Sequence, residues 1–139
     1  MRVSPIVGLL SLLALPAAAA TPVSVGMPAP GLGSGTPITA GEASMEGRVV
    51  VLNFWASWCR PCLTELPSLD ALHDRLLPAG AAVLTINIDR RKPAADGVLR
   101  KLSVDLPVVY DSGGDLAARY APEGLPATYL VDATGVVRE

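Results

Sequence analysis

Asn53-Phe54-Trp55-Ala56-Ser57-Trp58-Cys59-Arg60-Pro61-Cys62 closes on a Cys-x-x-Cys whose two members are the only cysteines of the chain. Two thiols separated by two residues can form and reopen a small disulfide ring with little backbone movement, which is what reversible redox chemistry requires. Upstream, the apolar run from Arg48 to Trp55 reads as a buried strand. Downstream, leucines at 63, 66, 69, 72 and 76 recur at the spacing of one helical face. The first cysteine therefore falls at a strand-to-helix junction, where the unpaired N–H groups of the first helical turn and the positive end of the helix dipole favour a thiolate over a thiol. Cys59 is accordingly the candidate nucleophile, and Cys62, one turn inside the helix, the candidate resolving thiol. Arg60 adds positive charge beside them, and Pro61 lies in the first turn, where a missing N–H does no harm.

The remainder of the chain limits what such a dithiol can belong to. A length of 139 residues, half of them hydrophobic and 17% charged, has the size and balance of one soluble domain. The net charge of −2, without a basic run or an aromatic-basic stripe, leaves no electrostatic footprint for nucleic acid. Residues 1–20 read as a secretory signal peptide: Arg2 supplies the positive end, Val3 to Leu15 the apolar run, and Ala17 to Ala20 the small residues of a cleavage site. The expected location is periplasmic or secreted. Membrane attachment is expected only if this segment is left uncleaved, and the run is shorter than the ~20 apolar residues of a spanning helix and is broken by Pro16. In an oxidising compartment a purely structural disulfide is the default reading of a cysteine pair. A ring this small restrains the unfolded chain little, which weighs against that reading.

Residues 21–47 are rich in Gly, Pro and Ser and read as an extended lead-in with one short strand near Pro37 to Thr39, ahead of a folded domain at 48–139. Within the domain the pattern alternates: strand 48–55, helix 59–77, strand 82–88, helix 94–103, a βαβ arrangement with parallel strands. Pro67 falls inside the first helix, where a kink is expected, and Pro78-Ala79-Gly80 ends it. Asp89 to Pro93 reads as a solvated charge cluster, although it lies at the carboxyl end of a strand, where open α/β sheets form ligand crevices. Pro107 to Tyr110 reads as a strand, Asp111 to Tyr120 as a short helix, and Ala127 to Val131 as a strand with a turn at 132–135 and the start of a hairpin partner at Val136-Val137. His73, the sole histidine, is expected on the exposed side of its helix. One histidine and two cysteines cannot furnish a four-ligand zinc site, and Leu63 stands where covalent haem attachment requires histidine.

Phe54-Trp-Ala-Ser-Trp-Cys-Arg-Pro-Cys-Leu-Thr-Glu-Leu-Pro67 resembles the active-site signature of the thioredoxin superfamily, in the form carried by its extracytoplasmic TlpA/ResA-like branch, which includes the cytochrome c maturation thioredoxins. The resemblance resumes at Gly124-Leu-Pro-Ala-Thr-Tyr-Leu-Val-Asp132 and covers roughly residues 25–139. It implies a thioredoxin-like α/β fold, a central mixed sheet flanked by helices. The strand 127–131 is then antiparallel beside 48–55, and the Leu125–Pro126 peptide is cis. Pro126 and Cys59 then form one site, with the Leu125 backbone available for pairing with a substrate strand and Trp58 shielding one side of the nucleophile. By the same resemblance Glu65 is a proton acceptor for Cys62, while Phe54 and Trp55 are packing residues. Asn53 stands where general thioredoxins carry a titratable aspartate, as is usual in this branch. Related proteins continue with a helix that covers one sheet face. The chain as given is therefore expected to lack that terminal helix and to leave apolar surface exposed, at about 25 cal/mol per Å².

The implied activity is that of an extracytoplasmic thiol–disulfide oxidoreductase that reduces protein disulfides and needs neither a metal nor an organic cofactor. Its implied partners are cysteine-containing protein substrates, such as apocytochrome c, and a membrane thiol reductant. Two alternatives stand beside it. One is a copper-handling module of the same fold, which would need a distant histidine ligand that the later half of the chain lacks. The other is a truncated, inactive fold.

Overall fold

The computed structural model describes residues 21–31, 39–40, 43–44 and 47–139. The expected signal peptide at 1–20 and much of the lead-in at 32–46 lie outside the described residues.

The organising strand is β3, Val49–Trp55, preceded by a short antiparallel pair formed by β1, Thr39–Ala40, and β2, Ala43–Ser44. From β3 the chain enters helix α1, Arg60–Leu76, which runs through Pro67 and ends in a 3-10 turn at Leu77–Ala79. Gly80, at φ 74°, makes the left-handed turn that a side chain would resist, and delivers the chain to β4, Ala81–Asn87. Helix α2, Lys92–Leu102, strand β5, Val108–Tyr110, helix α3, Asp115–Tyr120, and strand β6, Ala127–Val131, follow. The four-stranded sheet has the order β5-β4-β3-β6, with β4 parallel to both β3 and β5 and β6 antiparallel to β3. This is the mixed sheet of a thioredoxin-like α/β fold.

Alternation along β3 assigns its residues to two cores. Val50, Leu52 and Phe54 join Leu84 and Ile86 of β4 on one face, under Tyr120 of α3, Val137 and Ala29. Val51 and Trp55 join Val83 on the other, under Leu66 of α1, Ala95 of α2 and the two cysteines. On the α1 side of the sheet Val49 is 41% exposed and Val51 and Leu130 are half-buried, whereas the opposite face is covered: Val50, Leu52, Phe54, Leu84 and Ile86 are each at most 1% exposed. The cover comes from the lead-in as well as from α3. Val23 N–H donates to Tyr120 O, Gly26 N–H to Val137 O and Ala29 N–H to Gly135 O, and Tyr120 Oη donates to Pro30 O at 3.0 Å. Phe54, Tyr120 and Tyr129 stack at tilted or edge angles, with centroids 5.1 to 6.0 Å apart. Burial pushes the Tyr120 phenol well above its ordinary pKa.

Several expectations shift. Helix α2 begins at Lys92, so Lys92 and Pro93 belong to its first turn, where proline is well tolerated. Helix α3 begins at Asp115 rather than 111, because Asp111 stays outside and caps it: its carboxylate accepts from Leu116 N–H and Ala117 N–H. His73 is not a surface residue. It is 8% exposed, and its Nδ1 accepts from Val83 N–H at 3.1 Å, which ties α1 to β4. Four residues after Leu69, seven after Leu66 and three before Leu76, it lies on the same helical face as those leucines, so helix geometry buries it despite its polarity. The hairpin after β6 extends to the last residues, with Arg138 N–H donating to Leu130 O and Leu130 N–H to Glu139 O. Its turn is held by Asp132, whose carboxylate accepts from Thr134 N–H and Oγ1, Val136 N–H and Arg138 Nε. Those bonds, with the Thr134 hydroxyl first, hold the Asp132 carboxyl well below the usual range.

Candidate active site

Strand β3 ends at Trp55, and within four residues the chain must turn from extended to helical. Cys59 N–H donates to Ala56 O at 3.1 Å, closing that turn, and Cys59 itself is the N-cap of α1, with extended backbone angles. Its sulfur accepts from Cys62 N–H at 3.4 Å, one of the donors that a helix start leaves free. Cys59 and Cys62 are disulfide-bonded, with Cα atoms 5.3 Å apart. Cys59 is 6% exposed and Cys62 1%, so the outer sulfur is the one within reach of a partner.

The β3–β6 register pairs Phe54 with Ala127, so Pro126, one residue before, falls beside the end of β3 that leads to the cysteines. The Leu125–Pro126 peptide is cis. An apolar cleft of about 640 Å³ opens here, lined by Trp58, Cys59, Ile88, Ala121, Pro122 and Leu125 among others. Trp58 is 70% exposed and forms one wall. The structure thus brings Cys59, Trp58 and Leu125 to one cleft. Glu65 is exposed on α1, three residues beyond Cys62, and is not among the cleft residues. Asn53 is buried on β3, and its Nδ2 donates to Thr128 Oγ1 at 3.0 Å, joining β3 to β6. Among the described residues no group of three or more His, Cys, Asp or Glu side chains is placed to hold a metal ion.

Asp89 is the site residue that the linear pattern did not single out. It is not solvated with its charged neighbours but 5% exposed, and its carboxylate accepts from Ser57 N–H and Ser57 Oγ, both at 2.9 Å, and from Asn87 Nδ2 at 2.8 Å. Asn87 Oδ1 in turn accepts from Asp89 N–H, and Ile88 N–H donates to Trp55 O. The end of β4 therefore clamps the turn that presents Cys59. The available signal was Asn87-Ile88-Asp89 at the carboxyl end of a strand parallel to the cysteine-bearing one: an acid there has a neighbouring turn to cap. Arg90 and Arg91, next in the chain, are exposed as expected.

The chain resembles known proteins along most of its length. It is 30% identical over 92 residues to the thiol-disulfide oxidoreductase ResA of Bacillus thuringiensis subsp. konkukian, covering 66% of this chain and 53% of that protein. The ResA of Oceanobacillus iheyensis is 29% identical over 97 residues, with 70% and 50% covered. The chain thus spans about half the length of these relatives. Among solved structures it is similar to a DsbE-type thiol:disulfide interchange protein of Chlorobium tepidum, with a TM-score of 0.74, 26% identity and 84% of each chain covered. It is also similar to StoA of Bacillus subtilis, with a TM-score of 0.63, 25% identity, and 70% of this chain and 76% of that one covered. Among the described residues no helix is long and apolar enough to cross a membrane. The model of the AhpC/TSA family matches residues 26–139, the span that holds the sheet, the dithiol and the cis-proline loop, and the chain belongs to that family.

Proposed function

We propose that this chain is an extracytoplasmic thiol–disulfide oxidoreductase that reduces disulfides of partner proteins through Cys59 and Cys62. The observation that carries the proposal is the placement of Cys59. It caps a helix, its sulfur receives a backbone N–H, and it lines an open apolar cleft beside the loop of Pro126. In the reduced state the Cys59 thiolate attacks one sulfur of a substrate disulfide, forming a mixed disulfide and releasing the first substrate thiolate. Cys62, once deprotonated, attacks Cys59 Sγ and releases the second. The substrate gains two electrons, and the chain is left with the Cys59–Cys62 disulfide of the present structure.

In this reading Leu125 and Trp58 bind the substrate segment, Pro126 shapes the loop that receives it, and Glu65 takes the proton of Cys62. The resemblance of the Cys59 and Pro126 motifs to the TlpA/ResA-like branch is what supports the reductive direction and a role of the cytochrome c maturation kind, with a membrane thiol reductant recharging the pair. The leader-like residues 1–20 support export to the periplasm. A thiol-trapping titration of the chain in glutathione and dithiothreitol buffers tests the proposal. A single two-electron transition at Cys59–Cys62, lying below the potentials of strongly oxidising periplasmic proteins (about −120 mV for such an oxidant), is the expected result. A transition at or above that value refutes the reductive direction, and the absence of a reversible transition refutes the activity.

A further inference from the structure

Trp58 separates two depressions. On one side lies the apolar cleft that contains Cys59. On the other lies a second cleft of about 510 Å³, lined by Ser57, Trp58, Ile88, Asp89, Arg90, Arg91 and Ala94. Trp58 and Ile88 belong to both walls, so a polypeptide segment crossing the tryptophan would meet both.

The second cleft has a polar chemistry of its own. Its carboxylate, Asp89, is buried, and its oxygens take the Ser57 and Asn87 donors. Its two arginines are exposed, and among the described residues neither forms an ion pair, whereas the neighbouring Lys92 is held by Asp96 at 2.7 Å. Arg60, exposed on the rim of the first cleft, likewise has no ion-pair partner among the described residues. A chain of net charge −2 thus presents, beside its reactive sulfur, three guanidinium groups without an ion-pair partner among the described residues, against the single buried carboxylate of Asp89 in the two clefts. Guanidinium is weakly hydrated and forks onto carboxylates, so this rim is matched to an acidic partner.

We propose that the disulfide-bearing segments this chain acts on are acidic: an apolar side chain enters the cleft beside Cys59, and aspartate or glutamate side chains near the disulfide engage Arg90 and Arg91 across Trp58. The inference rests on the thiol–disulfide activity proposed above and names its substrate class.

The test uses the chain reduced with dithiothreitol and freed of it, mixed with end-blocked peptides that carry one disulfide, one leucine and two glutamates, placed before or after the cysteines in turn. Twin peptides carry glutamine in place of glutamate. Each rate is divided by the rate of the same protein with bis(2-hydroxyethyl) disulfide, an uncharged small disulfide that reads the Cys59 chemistry alone. At low ionic strength the glutamate peptide is expected to react about threefold to tenfold faster than its twin, the range two exposed ion contacts support. The ratio should approach one in about 0.5 M salt, where such contacts are screened. It should fall to one in the double variant Arg90→Gln/Arg91→Gln, and below one in Arg90→Glu/Arg91→Glu. A ratio of one in the unsubstituted chain at low salt overturns the inference and leaves the activity standing, as does a ratio that survives both double variants. No reaction with any disulfide, the small one included, overturns the activity and the inference together.

Discussion

Replacing Asp89 by alanine should separate the turn before Cys59 from the end of β4. The carboxylate takes three donors: Ser57 N–H, Ser57 Oγ and Asn87 Nδ2. Asn87 is fully buried, so its amide is stranded without water, while Ser57 is half-buried and can recover part of its hydration. One stranded donor costs about 1–3 kcal/mol, and two partly rehydrated ones add about 1 kcal/mol more, so a loss of about 2–4 kcal/mol is expected. Ser57→Ala removes only the hydroxyl bond and should cost about 1 kcal/mol. Because both changes act on one network, the double variant should be less destabilised than the sum, by about 1 kcal/mol. Urea unfolding of the oxidised chain and its variants measures all three, read from shifts of midpoint at constant slope. The reasoning is wrong if Asp89→Ala lies within ~0.5 kcal/mol of the unsubstituted chain, the range of ordinary surface changes, or if the two substitutions simply add.

Three other outcomes follow from contacts elsewhere. His73→Leu keeps the bulk of the side chain but strands Val83 N–H, and should destabilise by about 1–3 kcal/mol in the same urea assay; a neutral effect would refute the buried bond. Leu66→Ala opens the fully buried core beside the dithiol and should cost about 2–5 kcal/mol, read as a lowered unfolding midpoint. The Asp132 carboxyl is held low in the folded chain, so its contribution to stability is fully present above its unfolded pKa of about 3.9 and is lost as pH falls through the lower folded value. Asp132→Asn should therefore weaken the chain at neutral pH and flatten its acid-side stability profile; a variant whose profile parallels the unsubstituted one would contradict this.

Much of the architecture is legible in linear sequence because the relevant forces are local and periodic. The run from Val49 to Trp55 and the leucines of α1 announce a strand and a helix by their spacing, and the Cys-x-x-Cys between them announces a sulfur at a helix start. Three of the departures are of one kind. His73, Asp89 and Asp111 are polar, and polarity in a linear pattern reads as exposure or as an element's interior, whereas each is placed by a bond to a partner that packing supplies. Ser57 and Asp89 are 32 positions apart and meet only because β3 and β4 are parallel neighbours in register.

The sequence by itself determined the βαβ alternation, the two halves of the motif and the assignment of Cys59 as the outward thiol, since these depend on backbone geometry and helix termini within a few residues. Only the tertiary structure decided what surrounds that thiol. The β3–β6 register brings the Pro126 loop beside it, the lead-in and α3 close the opposite face of the sheet, and the buried Asp89 fixes the turn that carries it. Each of these is a long-range contact whose partner is chosen by how sheet and helices bury apolar area together, and no local periodicity encodes that choice.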